Sequence, residues 1–570
     1  MTVTARAAIG RSPSRPRSTV AGTLALVEAR RLLRHPLLIA GAMLGTAVFV
    51  LVTWSQAPVL NRHDSLTTEA LLPLAGALLV AAHLATLRSR RHRVIELYRT
   101  TPATEATVTL GLLIAVGLIG CAALGLACVH LAYAQAIGGV ATPRPLVVLT
   151  GPAVVVLAGA MGVAMGRLFP WVAVGPLAVI GVIGISVALM SNCDDVSGVC
   201  KASYFSPLIV SEAWNSAPSE LSYRPSGAHL SYVAGLAIVA GSLAFIRRGP
   251  RKLAATVAAS ATGLVLVAGY AQTRPVPASA RAAVAGFILT PVDARTCKTY
   301  SSVRYCAYPA YARWIERWRM AVEPVAEGVP GGIVDGMRLS IVQRPHASDL
   351  YFEYSLYPSL RYYRLRRRAA RRTPNEIAPG LQWARHEAEG DYQLTLAVEA
   401  ARRIAGIETD FRLRQRDRDR VAKLIGKRKH LAKLGSRVNQ CLALDQGRVV
   451  VALWLAARAT ASTKSAFIRA LDEYDLGTSV EFYGLIEPTF DVLGDDARVS
   501  WGNRDAHYAR QLLARPEADV MHDVQTHWDR LVDPATDADR AARLLGLRLL
   551  PSLREIEPSI AQSVYQPLCR

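Results

Sequence analysis

Acidic residues are scarce in this chain of 570 residues, which has 44 Asp and Glu against 66 Lys and Arg. The resulting formal net charge of +22 favours anionic surfaces, which are lipid headgroups or nucleic acid. No zinc-finger spacing and no aromatic-interleaved basic motif occurs, so a nucleic-acid partner is disfavoured.

Common catalytic signatures are also missing. The nearest approach to a Gly-x-x-x-x-Gly-Lys-Ser/Thr phosphate loop, at residues 424–429, lacks the first Gly and the hydroxyl residue. His386 and Glu387 begin like a His-Glu-x-x-His zinc helix, but Gly390 stands where the second His is needed. A Gly-x-Ser-x-Gly elbow is absent as well. We therefore expect no enzymatic activity, no cofactor and no metal in this chain.

Apolar residues make up 51% of the chain, and they are concentrated in long runs within residues 1–271. An apolar run of about 20 residues crosses a membrane as a helix, because backbone polar groups must be satisfied internally there. Buried helices of a soluble protein are the alternative, but no soluble fold needs so many runs in succession. The sequence predicts seven spans, at residues 37–54, 71–87, 108–133, 146–168, 172–190, 231–246 and 253–270.

Basic residues in short loops predict the orientation of the spans. They cluster before the first span and after the second, fourth and sixth, at Arg30, Arg31, Arg34, Arg88, Arg90, Arg91, Arg93, Arg167, Arg247, Arg248, Arg251 and Lys252. We expect a multi-pass plasma-membrane protein with a cytoplasmic N-terminus and with residues after 271 outside. A miscount by one span, seven or six, would invert the second expectation.

Eight Cys are present, and six of them fall on the predicted outer side. Disulfides are expected in that oxidising compartment. Proximity in sequence favours Cys193 with Cys200 and Cys297 with Cys306, although six Cys allow about 15 pairings. Free thiols of a cytoplasmic domain are the alternative. A metal site is disfavoured because Cys-x-x-Cys spacing and a neighbouring His are lacking.

Charged or imidazole groups inside the predicted spans are few. His83 and His130 are the candidates, and both lie near span ends, where interfacial anchoring is expected. A proton- or sodium-driven carrier needs buried carboxylates, so the nearly uncharged spans disfavour that class.

The segment after residue 271 reads as soluble. Residues 272–290 contain Pro275 and Pro277 and are predicted to be a linker. The patterns then predict strands at 339–343 and 350–356 and helices at 391–407, 417–434, 447–458, 463–474, 504–513, 516–531 and 537–545. Two basic clusters, 361–372 and 412–437, are candidates for acidic lipid or cell-wall polymer, or are solvated helix faces.

Three features carry a family resemblance. An amphipathic segment, 27–36, precedes the first span; a basic loop with apolar residues, 88–105, joins the second and third; and a wider outer loop joins the fifth and sixth. In these features the chain resembles the type 2 ABC transporter permease family, especially actinobacterial exporters. The resemblance implies that the 88–105 loop docks on a separate ATPase subunit, through Arg91, Arg93, Glu96, Leu97, Tyr98, Arg99 and Pro102. An ordinary basic loop anchored on lipid headgroups is the alternative.

We therefore expect a polytopic α-helical membrane protein with a six-span permease core, a seventh span, and a mostly α, α+β soluble domain. The expected divisions are a disordered tail (1–20), the membrane domain (21–271), the linker (272–290) and the outer domain (291–570). The implied function is that of an exporter permease, a homodimer or a heterodimer with a related chain. The alternative is a membrane-anchored receptor or assembly protein whose outer domain binds anionic lipid or cell-wall polymer.

Overall fold

The structure is a computed structural model, and it is mostly helical. It describes residues 17–91, 104–191, 204–207, 225–246, 250–275, 277–345, 375–407, 440–443, 445–473, 479–480 and 498–551.

A helical bundle makes up the N-terminal part. Its described helices are α1 (Arg17–Leu33), α2 (Pro36–Ser55), α3 (Leu60–Arg91), α4 (Glu105–Ala136), α5 (Pro145–Leu168), α6 (Val174–Ser191), α7 (Ser226–Leu243) and α8 (Arg251–Gln272). Six of these helices, namely α2, α3, α4, α5, α7 and α8, are long and apolar enough to cross a membrane, and a shorter apolar stretch forms α6. Each of the seven predicted runs overlaps one of these helices. The chain therefore has the fold class of a helical membrane protein.

Close helix contacts in the bundle depend on glycine. A Cβ on Gly45 of α2 would lie 1.8 Å from the Ala70 carbonyl oxygen of α3. A Cβ on Gly162 of α5 would lie 2.2 Å from the Leu79 carbonyl oxygen, also on α3. The backbones approach this closely because small residues allow van der Waals packing, which drives helix association in lipid.

The second predicted span is shorter than the helix that contains it. It was expected at 71–87, whereas α3 begins at Leu60 and has 32 residues. The added turns, 60–70, are rich in polar residues and so lack the apolar signal of a span. They remain helical because their polar groups find partners, such as the Asp64 carboxylate with the Arg144 guanidinium at 2.9 Å.

The N-terminal segment also differs from the expectation. The helix α1 begins at Arg17, four residues inside the segment predicted to be disordered, while residues 1–16 lie outside the described part. Its small residues Ala21, Ala25 and Ala29 are buried at a spacing of four, which puts them on one face. That face packs on α4, near Gly111, so α1 is part of the helical bundle.

The predicted linker, 272–290, contains a helix. Within 272–290 the structure has a helix, α9 (Ala278–Ile288), whose Val284 and Ile288 are buried. Phe287 of this helix stacks on Tyr308 with ring centroids 4.1 Å apart. The prolines mark the start of α9, which follows Pro277, rather than an extended tether.

The C-terminal domain combines two small sheets with helices. Its first sheet has the order β1 (Thr296–Tyr300), β2 (Val303–Ala307), β3 (Ser340–Val342) and β4 (Glu376–Ile377). The first pair is antiparallel and the others are parallel. The second sheet has the order β5 (Gln440–Ala443), β7 (Arg498–Gly502) and β6 (Ser479–Val480).

Helices surround these sheets. In chain order they are α10 (Ile315–Glu327), α11 (Ile333–Met337), α12 (Glu387–Ile404), α13 (Gly447–Arg458), α14 (Ala461–Glu473), α15 (Asn503–Leu513), α16 (Glu517–Thr526), α17 (Trp528–Leu531) and α18 (Ala538–Leu544). The helix α13 is mostly apolar and is buried over Gly447 to Ala457, as expected for the centre of a core. The predicted strand 350–356 and helix 417–434 lie outside the described residues.

Candidate functional site

The residues predicted to contact an ATPase lie mostly outside the described part of the chain. Arg91 is the last residue of α3, and the segment 92–103 contains Arg93, Glu96, Leu97, Tyr98, Arg99 and Pro102. Thr104 follows this segment and caps α4 by accepting a hydrogen bond from the Thr107 amide at 3.2 Å. The structure therefore defines the two helix ends between which the segment runs.

Two ion pairs connect the helices at this end of the bundle. The Arg88 guanidinium of α3 donates to both Glu28 carboxylate oxygens of α1 at 3.3 Å. The Arg167 guanidinium of α5 lies 3.9 Å from the Glu105 carboxylate of α4. Each pair is partly exposed and contributes at most about 1 kcal/mol. The first ion pair holds the end of α3 against α1, and the second holds the start of α4 against α5.

The end of α3 and the start of α4, which flank residues 92–103, lie at the opposite end of the bundle from the C-terminal domain. Both α3 and α4 have 32 residues. At 1.5 Å per residue, each is about 46 Å long from the first residue to the last. The start of α3 and the end of α4 are next to the C-terminal domain, so their other ends are far from it. We call these two ends the domain-side end and the loop-side end.

The predicted Cys297–Cys306 disulfide is present in the structure. The two residues face each other directly in the β1–β2 hairpin, with Cα atoms 4.1 Å apart. Such a short separation is typical of the non-hydrogen-bonded pairs of an antiparallel ladder, which bring side chains close. The other predicted pair, Cys193 with Cys200, lies outside the described residues.

Buried polar residues gather at the domain-side end. The wholly buried Asp64 carboxylate accepts from Arg144 Nε at 2.9 Å, which joins the start of α3 to the start of α5. His130 of α4 contacts the Thr46 hydroxyl at 3.1 Å and stacks on Phe49 with ring centroids 4.5 Å apart. His130 was predicted to be an interfacial anchor, but it is buried between α2 and α4.

His83, the other imidazole singled out by the sequence, lies at the loop-side end. Its Nε2 is 3.0 Å from the Trp171 carbonyl oxygen, in the connector between α5 and α6. Trp171 itself is 73% exposed, as expected for an aromatic residue at a membrane boundary. This placement agrees with a role for His83 in fixing the connector.

Backbone hydrogen bonds join the domain-side end of the bundle to the C-terminal domain. Three of them cross between the two: Ala57 N to Trp383 O at 2.8 Å, Arg385 N to Ser55 O at 2.9 Å, and Ala141 N to Ala310 O at 3.1 Å. Two more join the α2–α3 and α4–α5 connectors: Leu60 N to Val140 O at 2.8 Å and Val140 N to Pro58 O at 3.0 Å. We call residues 53–60, 138–141, 310 and 383–386 the junction.

Side chains reinforce the junction. The Arg385 guanidinium donates to the Thr53 carbonyl oxygen at 3.1 Å, and the His386 ring stacks on Trp54 at 4.2 Å. His386 has a φ of 54°, a conformation that costs a non-glycine residue about 1–3 kcal/mol. A residue in this conformation persists because the surrounding contacts hold it, here the ring stack and the neighbouring backbone bond.

Connector residues of the bundle also belong to the core of the C-terminal domain. Ala57, Val59 and Val140 are at most 4% exposed, and they fall in the same apolar cluster as Tyr311 and Trp314. The sequence did not predict the junction. The one available signal was the apolar character of Ala57, Val59 and Val140 in connectors between the predicted spans.

The C-terminal domain also has an ion-pair network around Arg504. Its guanidinium lies 3.2 Å from the Asp445 carboxylate and also pairs with Asp539, which accepts from the Tyr508 hydroxyl at 2.6 Å. Burial and the hydrogen bond to Asp539 raise the pKa of Tyr508 to about 12. Burial also raises the pKa of Asp445. The network fastens α15 and α18 to the residues that precede α13.

Among the described residues, no group of three or more His, Cys, Asp or Glu is placed to hold a metal ion. Two places are candidate functional sites: the loop-side end, where α3 and α4 flank segment 92–103, and the junction. No family model, curated protein or solved structure matches this chain.

Proposed function

We propose that this chain is the membrane-spanning permease subunit of an ABC exporter, with ATP hydrolysed by a separate subunit. The observation that carries the proposal is the architecture of the loop-side end. Two long helices, α3 and α4, lead into and out of the basic segment 92–103, and ion pairs to α1 and α5 brace their ends. A basic segment that also contains apolar residues, between two helix ends held by ion pairs, suits docking into a groove of a partner.

The proposed orientation places the loop-side end in the cytoplasm and the C-terminal domain outside. Basic residues support it, because Arg30, Arg31, Arg34, Arg88 and Arg167 all lie at the loop-side end. Exposed aromatic residues mark both boundaries of the bundle: Trp171 at the loop-side end, and Trp54 and Tyr270 at the other. In this orientation the Cys297–Cys306 bond is in an oxidising compartment.

Six spans with a seventh, α8, complete the proposal, and a homodimer or a heterodimer with a related permease is the proposed assembly. The helix α8 packs on α7, where a Cβ on Gly235 would lie 2.8 Å from a Val265 methyl group. It delivers the chain to the domain-side end, where α9 and the C-terminal domain begin.

Co-purification from native membranes in mild detergent tests the proposal. We expect an ATPase subunit to be recovered with the chain and to be lost from the Leu97→Asp, Tyr98→Asp variant, because acidic side chains would occupy the apolar part of the docking surface. The matched control is Leu549→Asp, a change at a 47% exposed leucine of the C-terminal domain.

Recovery of no ATPase subunit, with none encoded by neighbouring genes, would overturn the proposal. The remaining hypothesis would then be the envelope receptor. Its test is binding of the full-length chain, in neutral-lipid nanodiscs at low salt, to anionic vesicles and cell-wall polymer, where charge-driven contacts are strongest.

A further inference from the structure

The two carboxylates in the domain-side half of α3 have different surroundings. Asp64 is fully buried and pairs with the Arg144 guanidinium at 2.9 Å. Glu69 is exposed on the surface of the bundle, although its neighbours Thr68 and Ala70 are buried against α5 and α2. The bundle therefore encloses one of these carboxylates and leaves the other on its surface.

Glu69 lies near the middle of the membrane. It precedes Ala70, whose carbonyl oxygen would be 1.8 Å from a Cβ on Gly45, so α2 and α3 touch at this level. Gly45 is halfway along α2 (Pro36–Ser55), about 14 Å from either end at 1.5 Å per residue. Half the thickness of the hydrocarbon core is about 15 Å. A Glu side chain is shorter than the distance to either boundary, so the carboxylate is at a depth where a charge is costly.

The surface around Glu69 is apolar. Leu66 and Gly76 lie on the same face of α3, one turn before Glu69 and two turns after it. The helix α6 packs on this face at Gly76, where a Cβ would lie 3.6 Å from a Val179 methyl group. Beyond this contact, toward the domain-side end, α6 exposes apolar side chains such as Ile183. A lipid-soluble molecule can therefore reach the carboxylate along an apolar surface.

The depth of Glu69 restricts the kind of cation that can reach it from outside. A second copy of the chain brings none to this depth on its described helices, because every Lys and Arg of α2 to α8 stands in the first or last turn of its helix. A small hydrated cation is kept out of hydrocarbon by the cost of losing its water. A cation that carries an apolar body dissolves there.

We propose that Glu69 is a binding site for lipophilic cations. The quaternary ammonium or phosphonium group of such a molecule would pair with the carboxylate, while its apolar body lies on α3 and α6. The pairing offsets the cost of a charge in hydrocarbon and discriminates against anions of the same shape. That these cations are the exported substrate rests on the proposed function, whereas binding at Glu69 does not.

Binding to the full chain in lipid nanodiscs tests the site. The probe is tetraphenylphosphonium, and tetraphenylborate, an anion of nearly the same shape, measures binding to apolar surface alone. Glu69→Gln removes the charge and keeps the size of the side chain, so it should bind tetraphenylphosphonium at least about tenfold more weakly. Glu69→Asp keeps the charge and should bind within about threefold of the wild type. Tetraphenylborate should bind Glu69→Gln at least as well as the wild type.

The matched control is Asp293→Asn, which removes a carboxylate of the C-terminal domain whose side chain is 92% exposed. It should leave the binding of tetraphenylphosphonium unchanged. Equal affinity of the wild type and Glu69→Gln for this probe would overturn the site. An equal loss in Asp293→Asn would overturn it too, because net charge alone would then explain the effect.

A chemical probe tests the wild-type chain without any substitution. Dicyclohexylcarbodiimide is apolar and modifies carboxyl groups that contact lipid, so mass spectrometry of peptides should find it on Glu69. Tetraphenylphosphonium at about ten times its dissociation constant should slow this modification about tenfold, since it leaves about a tenth of the sites empty. Modification by a water-soluble carbodiimide alone, or modification that the cation does not slow, would contradict the site.

The complex with the ATPase tests whether lipophilic cations are the exported substrate. Tetraphenylphosphonium should raise the rate of ATP hydrolysis at least about twofold in the wild-type complex and not in the Glu69→Gln complex. If an ATPase is recovered and the cation has no such effect, this substrate class is overturned while the proposed function stands. If no ATPase is recovered, the proposed function fails, and the two binding experiments still decide the site.

Discussion

Two apolar helices of this protein, α13 in the C-terminal domain and α8 in the bundle, are shielded from water in different ways. The helix α13 has 12 residues, and protein atoms bury every one from Gly447 to Ala457. The helix α8 has 22 residues and leaves Leu266 and Val267 more than 65% exposed on the protein surface. Apolar composition alone does not distinguish the two, whereas length does, because only the longer one can cross a membrane.

The difference between α13 and α8 predicts where substitutions will destabilise the protein. Side chains of α13 are packed on all sides, so a lost atom leaves a cavity. Side chains on the outer face of α8 contact lipid before and after truncation, so little packing is lost. In the bundle, glycine-lined contacts such as those of α2 and α5 with α3 bring the helices close together.

The largest effect is expected from Trp454→Ala in α13. Trp454 is 1% exposed, and its removal should lower the free energy of unfolding by about 3–5 kcal/mol. The matched change in α8 is Leu266→Ala, at a residue 68% exposed, and it should cost at most about 0.5 kcal/mol. Thermal unfolding of the full chain in detergent measures both. Equal shifts of the melting temperature would show that α8 is packed like α13.

The next effect is expected from the disulfide. Replacing Cys297 and Cys306 by Ser should lower the free energy of unfolding by about 2–3 kcal/mol, since the bond closes a short loop of the unfolded chain. Replacing Cys121 and Cys128, two free thiols exposed on α4, is the control and should be near neutral.

The Cys297–Cys306 pair also tests on which side of the membrane the C-terminal domain lies in cells. In a chain whose other Cys are replaced by Ser, an impermeant maleimide should label Cys297 and Cys306 only after an added reductant. Labelling that requires lysis and no reductant would put the domain in the cytoplasm.

A smaller effect is expected from the helix contacts of the bundle. Gly45→Ala places a Cβ 1.8 Å from the Ala70 carbonyl oxygen, so α2 and α3 must separate, at a cost of about 1–3 kcal/mol. Gly117→Ala on α4 meets no atom within 4 Å and is the control. It should be neutral or stabilise by up to about 1 kcal/mol, because Ala favours a helix over Gly. An equal change in both variants would show that the close approach at Gly45 does not decide the cost.

The smallest effect is expected from Tyr508→Phe, about 1 kcal/mol at neutral pH for the lost hydrogen bond to Asp539. The folded state favours the neutral phenol, because the pKa of Tyr508 is raised to about 12. The unfolded chain releases this proton near pH 10. Stability should therefore fall between pH 10 and 12 in the wild type, and this part of the fall should be missing in the variant. Parallel pH curves for the two proteins would contradict the assignment.

Elements with one dominant local signal were predicted well. The helix at 447–458 was expected with the bounds that the structure has, because Arg448 and Arg458 flank an unbroken apolar run, 449–457. The Cys297–Cys306 bond was predicted because the two residues are close in sequence. The apolar runs of the bundle are of this kind too.

Elements that depend on distant partners were missed. The start of α3 at Leu60 was not predicted because Asp64 and its neighbours are polar, which is untypical of a membrane span. The partner of Asp64 is Arg144, 80 residues later in the sequence. The junction was missed because its backbone bonds join residues that are distant in the sequence, such as Ala57 and Trp383. The local periodicity of a sequence gives no information about contacts between such distant residues. The predicted ATPase contacts at 92–103 lie outside the described residues and stay a prediction.

The shared core at the junction has a consequence for biosynthesis. Ala57, Val59 and Val140 are made early and inserted with the first helices, yet they complete a core whose other residues follow residue 280. Domains generally fold as they emerge from the ribosome. Here the C-terminal domain emerges after three residues of its interior have already been made as part of the bundle. The inserted helices would thus serve as a folding template, and a soluble fragment without them would have a gap where the three side chains belong.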